Sequence, residues 1–308
     1  MLFKASAPGS LMLMGEYAVL QGKQALVCAV DKRMTVTLAP RADKKIIITS
    51  ALGHLVTDLS HLNVELPFQF VLTTLKTLQK KMHTGCDIVI TSEFSDKIGF
   101  ASSAAVTTAL LAALTLWLNI SLTQTEMVRI ARTIVRKVQG LGSGADVAAC
   151  VFGGIVAYRA QPLVIEKLPY LYPLTVIYSG SKTPTVQAVA HVQEYFQTQP
   201  QLFKQICQLI GNCSLQAKKS ICAEDWLEVG KLMNMQQGLM DALNVNTYDL
   251  NQIIETLRHS SSILGAKISG SGLGDCVVGL GQMAEDEKIP GVRIPVAITH
   301  QGVICEKI

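Results

Sequence analysis

Lys97-Ile98-Gly99-Phe100-Ala101-Ser102-Ser103-Ala104-Ala105 is the stretch on which the reading of this chain turns. It predicts the end of a short strand, a loop of small residues and the start of a long apolar helix over Ser102–Leu118. The first N–H groups of a helix lack intrahelical partners, and the helix dipole adds partial positive charge at the same point. An anion can settle there, and small residues let it approach the backbone. The hydroxyls of Ser102 and Ser103 suit phosphate oxygens or Mg²⁺, which prefers oxygen ligands. Lys97 adds a full charge beside them. The loop is not a Walker A sequence, since no Gly-Lys-[Ser/Thr] closes it. Taken alone, the simpler reading has a slight edge: a serine cap on a buried helix.

Three further segments shift that balance. Gly140-Leu141-Gly142-Ser143-Gly144-Ala145-Asp146 sets a dense run of glycines before an acid that opens an apolar helix. Asp146 could simply cap that helix, yet capping does not call for the glycines; close approach to a ligand does, and an Asp there can orient a hydroxyl or take its proton. Ser269-Gly270-Ser271-Gly272-Leu273-Gly274-Asp275-Cys276 lies between two apolar strands and reads as a tight hairpin or a second phosphate-facing nest. Near the start, Ala7-Pro8-Gly9-Ser10 precedes Gly15-Glu16-Tyr17-Ala18-Val19, where Glu16 and Tyr17 interrupt an apolar segment.

Around these loops the pattern alternates. Strands are expected at LMLM, ALVCAV, MTVTL, Ile46–Ile48, Asp87–Thr91, Ile155–Tyr158 and Leu174–Tyr178, with helices at 66–83, 102–118 and 123–138. Pro162–Pro173 holds three prolines and reads as the seam between residues 1–165 and 166–308. Beyond it four helices precede strands at Ala266–Ser269, Cys276–Leu280 and Ile294–Thr299. Helices grouped in the second half argue a two-domain α+β fold.

Composition narrows the class. The chain has 308 residues, 49% hydrophobic and 16% charged, well under the usual ~25% charge. A large buried core follows, and disorder or a coiled coil is excluded. Net charge is +4 with no basic stripe, so nucleic acid is not an expected partner. The eight cysteines show no C-x-x-C spacing and read as buried thiols in a reducing compartment. The longest apolar run, Ala104–Leu118, is broken by threonines and shorter than the ~20 residues of a membrane span. No membrane association is expected, and with no apolar signal segment at the start a cytoplasmic protein is.

Taken in order, Ala7-Pro8-Gly9, the Gly99–Ala105 loop and the Ser269–Cys276 loop make the chain resemble the GHMP kinases along its length. That resemblance implies a two-domain α+β GHMP kinase-like fold, ATP and Mg²⁺ as cofactors, and phosphoryl transfer to a small molecule. It implies nucleotide binding at Gly99, Ala101, Ser102, Ser103 and Ala104, with the metal held by Ser103 or Ser102. Asp146 and Lys97 become the expected catalytic pair; Ser10, Glu16, Tyr17, Ser143, Gly144, Lys182, Thr183, Ser271 and Gly272 are expected at the substrate. Within the family the mevalonate-pathway branch fits best. Tyr17, Lys97 and Asp275 look like the phosphomevalonate kinase version, which makes phosphomevalonate the first expected acceptor and mevalonate the second. A homodimer is among the expected states.

The departures are informative. The family usually carries Lys where this chain has Ser10, and a second glycine where it has Ala101; Ala101 is harmless only if its φ is negative. Lys97, Lys23 or Lys182 could supply the missing charge. A diphosphomevalonate decarboxylase-like activity, or a nucleotide-binding relative without catalysis, stands as a further alternative.

Overall fold

The computed structural model describes residues 1–95 and 98–308, so the expectation placed on Lys97 lies outside the described residues. β1 (Phe3–Met14) takes in Ala7-Pro8-Gly9-Ser10 and leads through a short helical turn into β2 (Ala25–Pro40). Two strands were expected from ALVCAV and MTVTL; they are one. Its first half pairs with β6 (Ile155–Ala160) and its second with β5 (Cys86–Ser92), both antiparallel. Arg33 sits near the changeover and donates to Ser6 Oγ, Ser6 O and Gly302 O.

β3 (Lys45–Ser50) runs parallel to β5, and β4 (Gly53–Asp58) closes that edge as a hairpin. β7 (Leu163–Lys167) pairs with β6 inside the proline-rich seam. The last strand, β12 (Ile304–Lys307), returns to pair with Phe3–Ser6 of β1. One sheet of eight strands results, ordered β12-β1-β2-β5-β3-β4 with β6 and β7 branching from β2. A second sheet has the order β11-β8-β10-β9, formed by β8 (Leu174–Tyr178), β9 (Ala266–Ser269), β10 (Cys276–Leu280) and β11 (Val292–Ile294). Of the strand expected at Ile294–Thr299, only Ile294 is in β11; Ile298 makes an isolated bridge to Val30.

Helices α1 (Gln69–Leu78), α2 (Ser102–Trp117), α3 (Gln124–Gln139) and α4 (Ala145–Phe152) belong to the first half, and α5 (Thr185–Tyr195), α6 (Pro200–Cys222), α7 (Trp226–Ala242) and α8 (Tyr248–His259) to the second. α2 lies against β1 and β2. Ala109, Leu110, Leu111, Ala113 and Leu114 are wholly buried, as expected of a helix apolar on every side. Each buried leucine contributes about 1.5–3 kcal/mol. That packing fixes α2 as a rigid strut whose first turn faces the loops described next. α3 starts at a capping box between Thr123 and Glu126 and ends at Gly140 in the left-handed region. Among the described residues no helix is long and apolar enough to cross a membrane.

Candidate active site

The serine-cap reading of α2 does not hold. Its N-cap is Ala101, and no side chain caps it. Among the described residues the N–H groups of Ser102 and Ser103 meet no partner, while Ala104 N donates to Ala101 O at 2.9 Å; both serines are partly exposed. Ala101 has φ 51° and ψ 49°, so the negative φ on which its tolerance depended is absent. Alanine there costs roughly 1–2 kcal/mol. The loop is held from both sides: Phe100 is buried, its ring meets Phe94 edge-on at 5.8 Å, and its carbonyl accepts from Ser10 N at 3.2 Å.

Ser10 is 1% exposed at an irregularity of β1, and its Oγ donates to Asp146 Oδ1 at 2.9 Å. The position expected to hold a lysine thus carries a hydroxyl that binds the candidate base. Asp146 stands in the first turn of α4, behind Gly144 at φ 92°. A Cβ on Gly144 would lie 2.6 Å from Arg132 Cδ and 2.8 Å from the Tyr158 hydroxyl. Tyr158 donates to Ser143 O at 2.6 Å, and Ser143 Oγ accepts from Ala145 N at 3.1 Å. The glycine run is what lets these groups close around the start of the helix. Desolvation pushes the Asp146 carboxyl above its ordinary value; the Ser10 hydroxyl pulls it back, and the charge of Glu16 adds to the rise.

Glu16 is 3% exposed and forms an ion pair with Lys267, which is wholly buried on β9. Gln236 of α7 donates to Glu16 Oε2 at 2.5 Å and accepts from Gly15 N at 3.1 Å; Gly270 N donates to Glu16 Oε1 at 3.3 Å. Glu16, expected at the substrate, thus has its carboxylate engaged by protein donors that tie the segment after β1 to β9, α7 and the Ser269–Cys276 loop. Tyr17 does the same through its hydroxyl, which donates to Ser271 O at 2.6 Å. Lys267 and Gln236 did not figure in the sequence reading. A lysine inside the apolar Ala266–Ser269 strand was the available signal, because buried lysines need a partner.

The loop from Ser179 to Thr183 is pinned to the same segment. Asp275 N donates to Ser181 O at 2.7 Å, Ser179 N to Asp275 O at 2.9 Å, and Thr183 Oγ1 to Leu273 O at 2.7 Å. Lys182 and Thr183 are thereby set beside Asp275, whose carboxylate a Cβ on Gly99 would strike. Gly99 is required for this closure between the two glycine loops. Burial raises the Asp275 carboxyl, while Lys182 and the Gly99 N–H counteract. Gly272, at φ 76°, has room for no Cβ against Val245.

Among the described residues no cluster of three or more His, Cys, Asp or Glu could hold a metal. No disulfide forms, and six cysteines are buried. A cavity of about 460 Å³ opens beside residues 140–143 and Tyr17.

This arrangement has counterparts. Residues 69–154 match the GHMP kinases N terminal domain and 217–290 the GHMP kinases C terminal. A Pyrococcus furiosus protein named mevalonate kinase is 30% identical over 99% of this chain and 98% of its own length. The crystal structure of the Lin0012 protein of Listeria innocua superposes with a TM-score of 0.89 at 20% identity, covering 100% of both chains. The Streptococcus pneumoniae phosphomevalonate kinase complex with phosphomevalonate and AMPPNP reaches 0.78 at 18% identity, over 92% of this chain and 93% of that one. The open helix start, the acid at α4 and the interlocked glycine loops therefore have a common explanation: the chain belongs to the GHMP kinase family and is an ATP-using small-molecule kinase.

Proposed function

We propose that the protein is a kinase of the mevalonate pathway that transfers the γ-phosphoryl group of ATP to mevalonate. The observation that carries this reading is the similarity, from end to end, to a relative named mevalonate kinase. It reverses the order expected from Tyr17 and Asp275, which put phosphomevalonate first.

The triphosphate would be held at the start of α2, where the N–H groups of Ser102 and Ser103 and the helix dipole would meet it. Ser102 and Ser103 would hold Mg²⁺ together with the phosphates. When bound, the cation neutralises charge that develops on the phosphoryl oxygens. Ser10 occupies Oδ1 of Asp146 and leaves Oδ2 for the acceptor hydroxyl. As the oxygen of that hydroxyl bonds to the γ-phosphorus, its proton passes to Asp146, the bond from γ-phosphorus to the bridging oxygen breaks, and ADP leaves. A carboxylate whose pKa is raised by burial is a better proton acceptor than a solvated one.

The test is ADP release by the purified chain with ATP and Mg²⁺ against mevalonate, 5-phosphomevalonate, 5-diphosphomevalonate, homoserine and galactose. Highest kcat/KM on mevalonate is the expected result. A preference for 5-phosphomevalonate would overturn the choice of acceptor, CO₂ release from 5-diphosphomevalonate would replace the kinase by a decarboxylase, and no turnover on any would overturn the pathway.

A further inference from the structure

The cavity beside the 140–143 loop has a wall that the reaction as described does not use. Arg132 and Arg136 line it from α3, one helical turn apart and so on one face. Leu20, Leu141, Val189 and Phe203 form the apolar side. No carboxylate lines the cavity, and neither arginine makes an ion pair among the described residues. Arg132 donates from Nη1 to Ala160 O at 3.3 Å, while its Nε is buried without a partner. A buried donor without an acceptor is costly and rare in native proteins. Its stem crosses Gly144, two residues before Asp146, and Arg136 Cγ would lie 3.7 Å from a Cβ on Gly142. The stems of both arginines therefore flank the loop that leads into the base.

We propose that Arg132 and Arg136 are the specificity residues of the acceptor pocket, binding the anionic group at the end of the acceptor remote from its reacting hydroxyl. The inference rests on the proposed acceptor class and adds how it is recognised. Planar guanidinium forks match a carboxylate or a phosphate, and both mevalonate and its 5-phosphate carry such a group. The apolar side accommodates the carbon skeleton.

The experiment compares wild type, Arg132→Gln, Arg136→Gln and Arg132→Lys. Each is assayed with mevalonate, with 5-phosphomevalonate and with 3-methylpentane-1,3,5-triol, which has an alcohol in place of the carboxylate. Binding of the two anions without ATP is measured by calorimetry, and circular dichroism melting checks the fold. The glutamine variants should raise KM and Kd for the anionic acceptor about 10- to 100-fold, the loss of one charge-assisted bond. KM for ATP should stay within about twofold, Arg132→Lys should recover part of the loss, and discrimination against the triol should shrink by the same factor. Folded glutamine variants with unchanged acceptor affinity and unchanged discrimination overturn the inference while leaving the kinase reading intact. Wild-type protein that neither binds nor phosphorylates either anion overturns both.

Discussion

Ser10 and Asp146 are joined by a hydrogen bond of 2.9 Å in which the serine hydroxyl donates to the carboxylate. A group that donates to the ionised form lowers its pKa, whereas the burial around it acts the other way and dominates. Activity that needs ionised Asp146 should fall as pH drops through a value above the ordinary carboxylate range. Ser10→Ala removes the donor and should move that acid limb to higher pH, read from kcat/KM against pH. A limb that stays in place would mean that Asp146 is not the titrating group.

Asp146→Asn keeps the shape and should lower kcat by about 10²- to 10⁴-fold. Its effect on stability has the opposite sign. A carboxyl whose pKa is raised on folding favours the folded state below its unfolded pKa, and that contribution is lost as pH rises through the folded value. The asparagine variant should therefore be at least as stable as wild type at neutral pH, by urea denaturation, with the stability difference shrinking toward acid.

Ala101→Gly relieves a left-handed alanine, about 1–2 kcal/mol, against ~0.5–1 kcal/mol of added unfolded-state freedom. A net gain of about 0.5–1 kcal/mol in urea unfolding is expected. A loss would mean that the methyl group makes contacts worth more than the strain.

Glu16→Gln leaves Lys267 buried without its counter-charge, at a cost of about 3–5 kcal/mol. Glu16→Gln combined with Lys267→Met should cost clearly less than the sum of the two single changes in a double-mutant cycle. Strict additivity would show that the two side chains act independently.

Ser102→Ala and Ser103→Ala should weaken ATP–Mg²⁺ binding rather than acceptor binding; a hydroxyl contact to a charged group is worth about 1.5–3 kcal/mol. Calorimetric titration with a non-hydrolysable nucleotide measures it. Unchanged affinity in both would remove the phosphate from the start of α2.

The glycine loops and the acid were legible because their residue types are unusual for the alternatives: a cap or a hairpin needs fewer glycines than Gly140–Gly144 or Gly270–Gly274 supply. The long buried α2 was legible from apolar composition alone. What escaped were pairings between distant residues. Nothing local to Lys267 names Glu16 as its partner, and nothing near Ser10 names Asp146. Edge strands escaped for another reason. β12 is exposed throughout and no residue of β4 is buried, so neither shows the buried alternation by which a strand is recognised. The left-handed φ of Ala101 was hidden because alanine gives no sign of it, whereas a glycine would have.

The return of residues 304–307 to the first strand matters during synthesis. β1 lies between β2 and β12, so on a nascent chain that has emerged only as far as the proline-rich seam, Phe3–Ser6 would form an open sheet edge. Phe3 and Ala5 on that edge are buried in the finished protein. An unpaired strand of this kind invites pairing with other chains. Fragments truncated before β12 should therefore depend on chaperones and accumulate as aggregates, while the full chain, once its last strand is in place, should not.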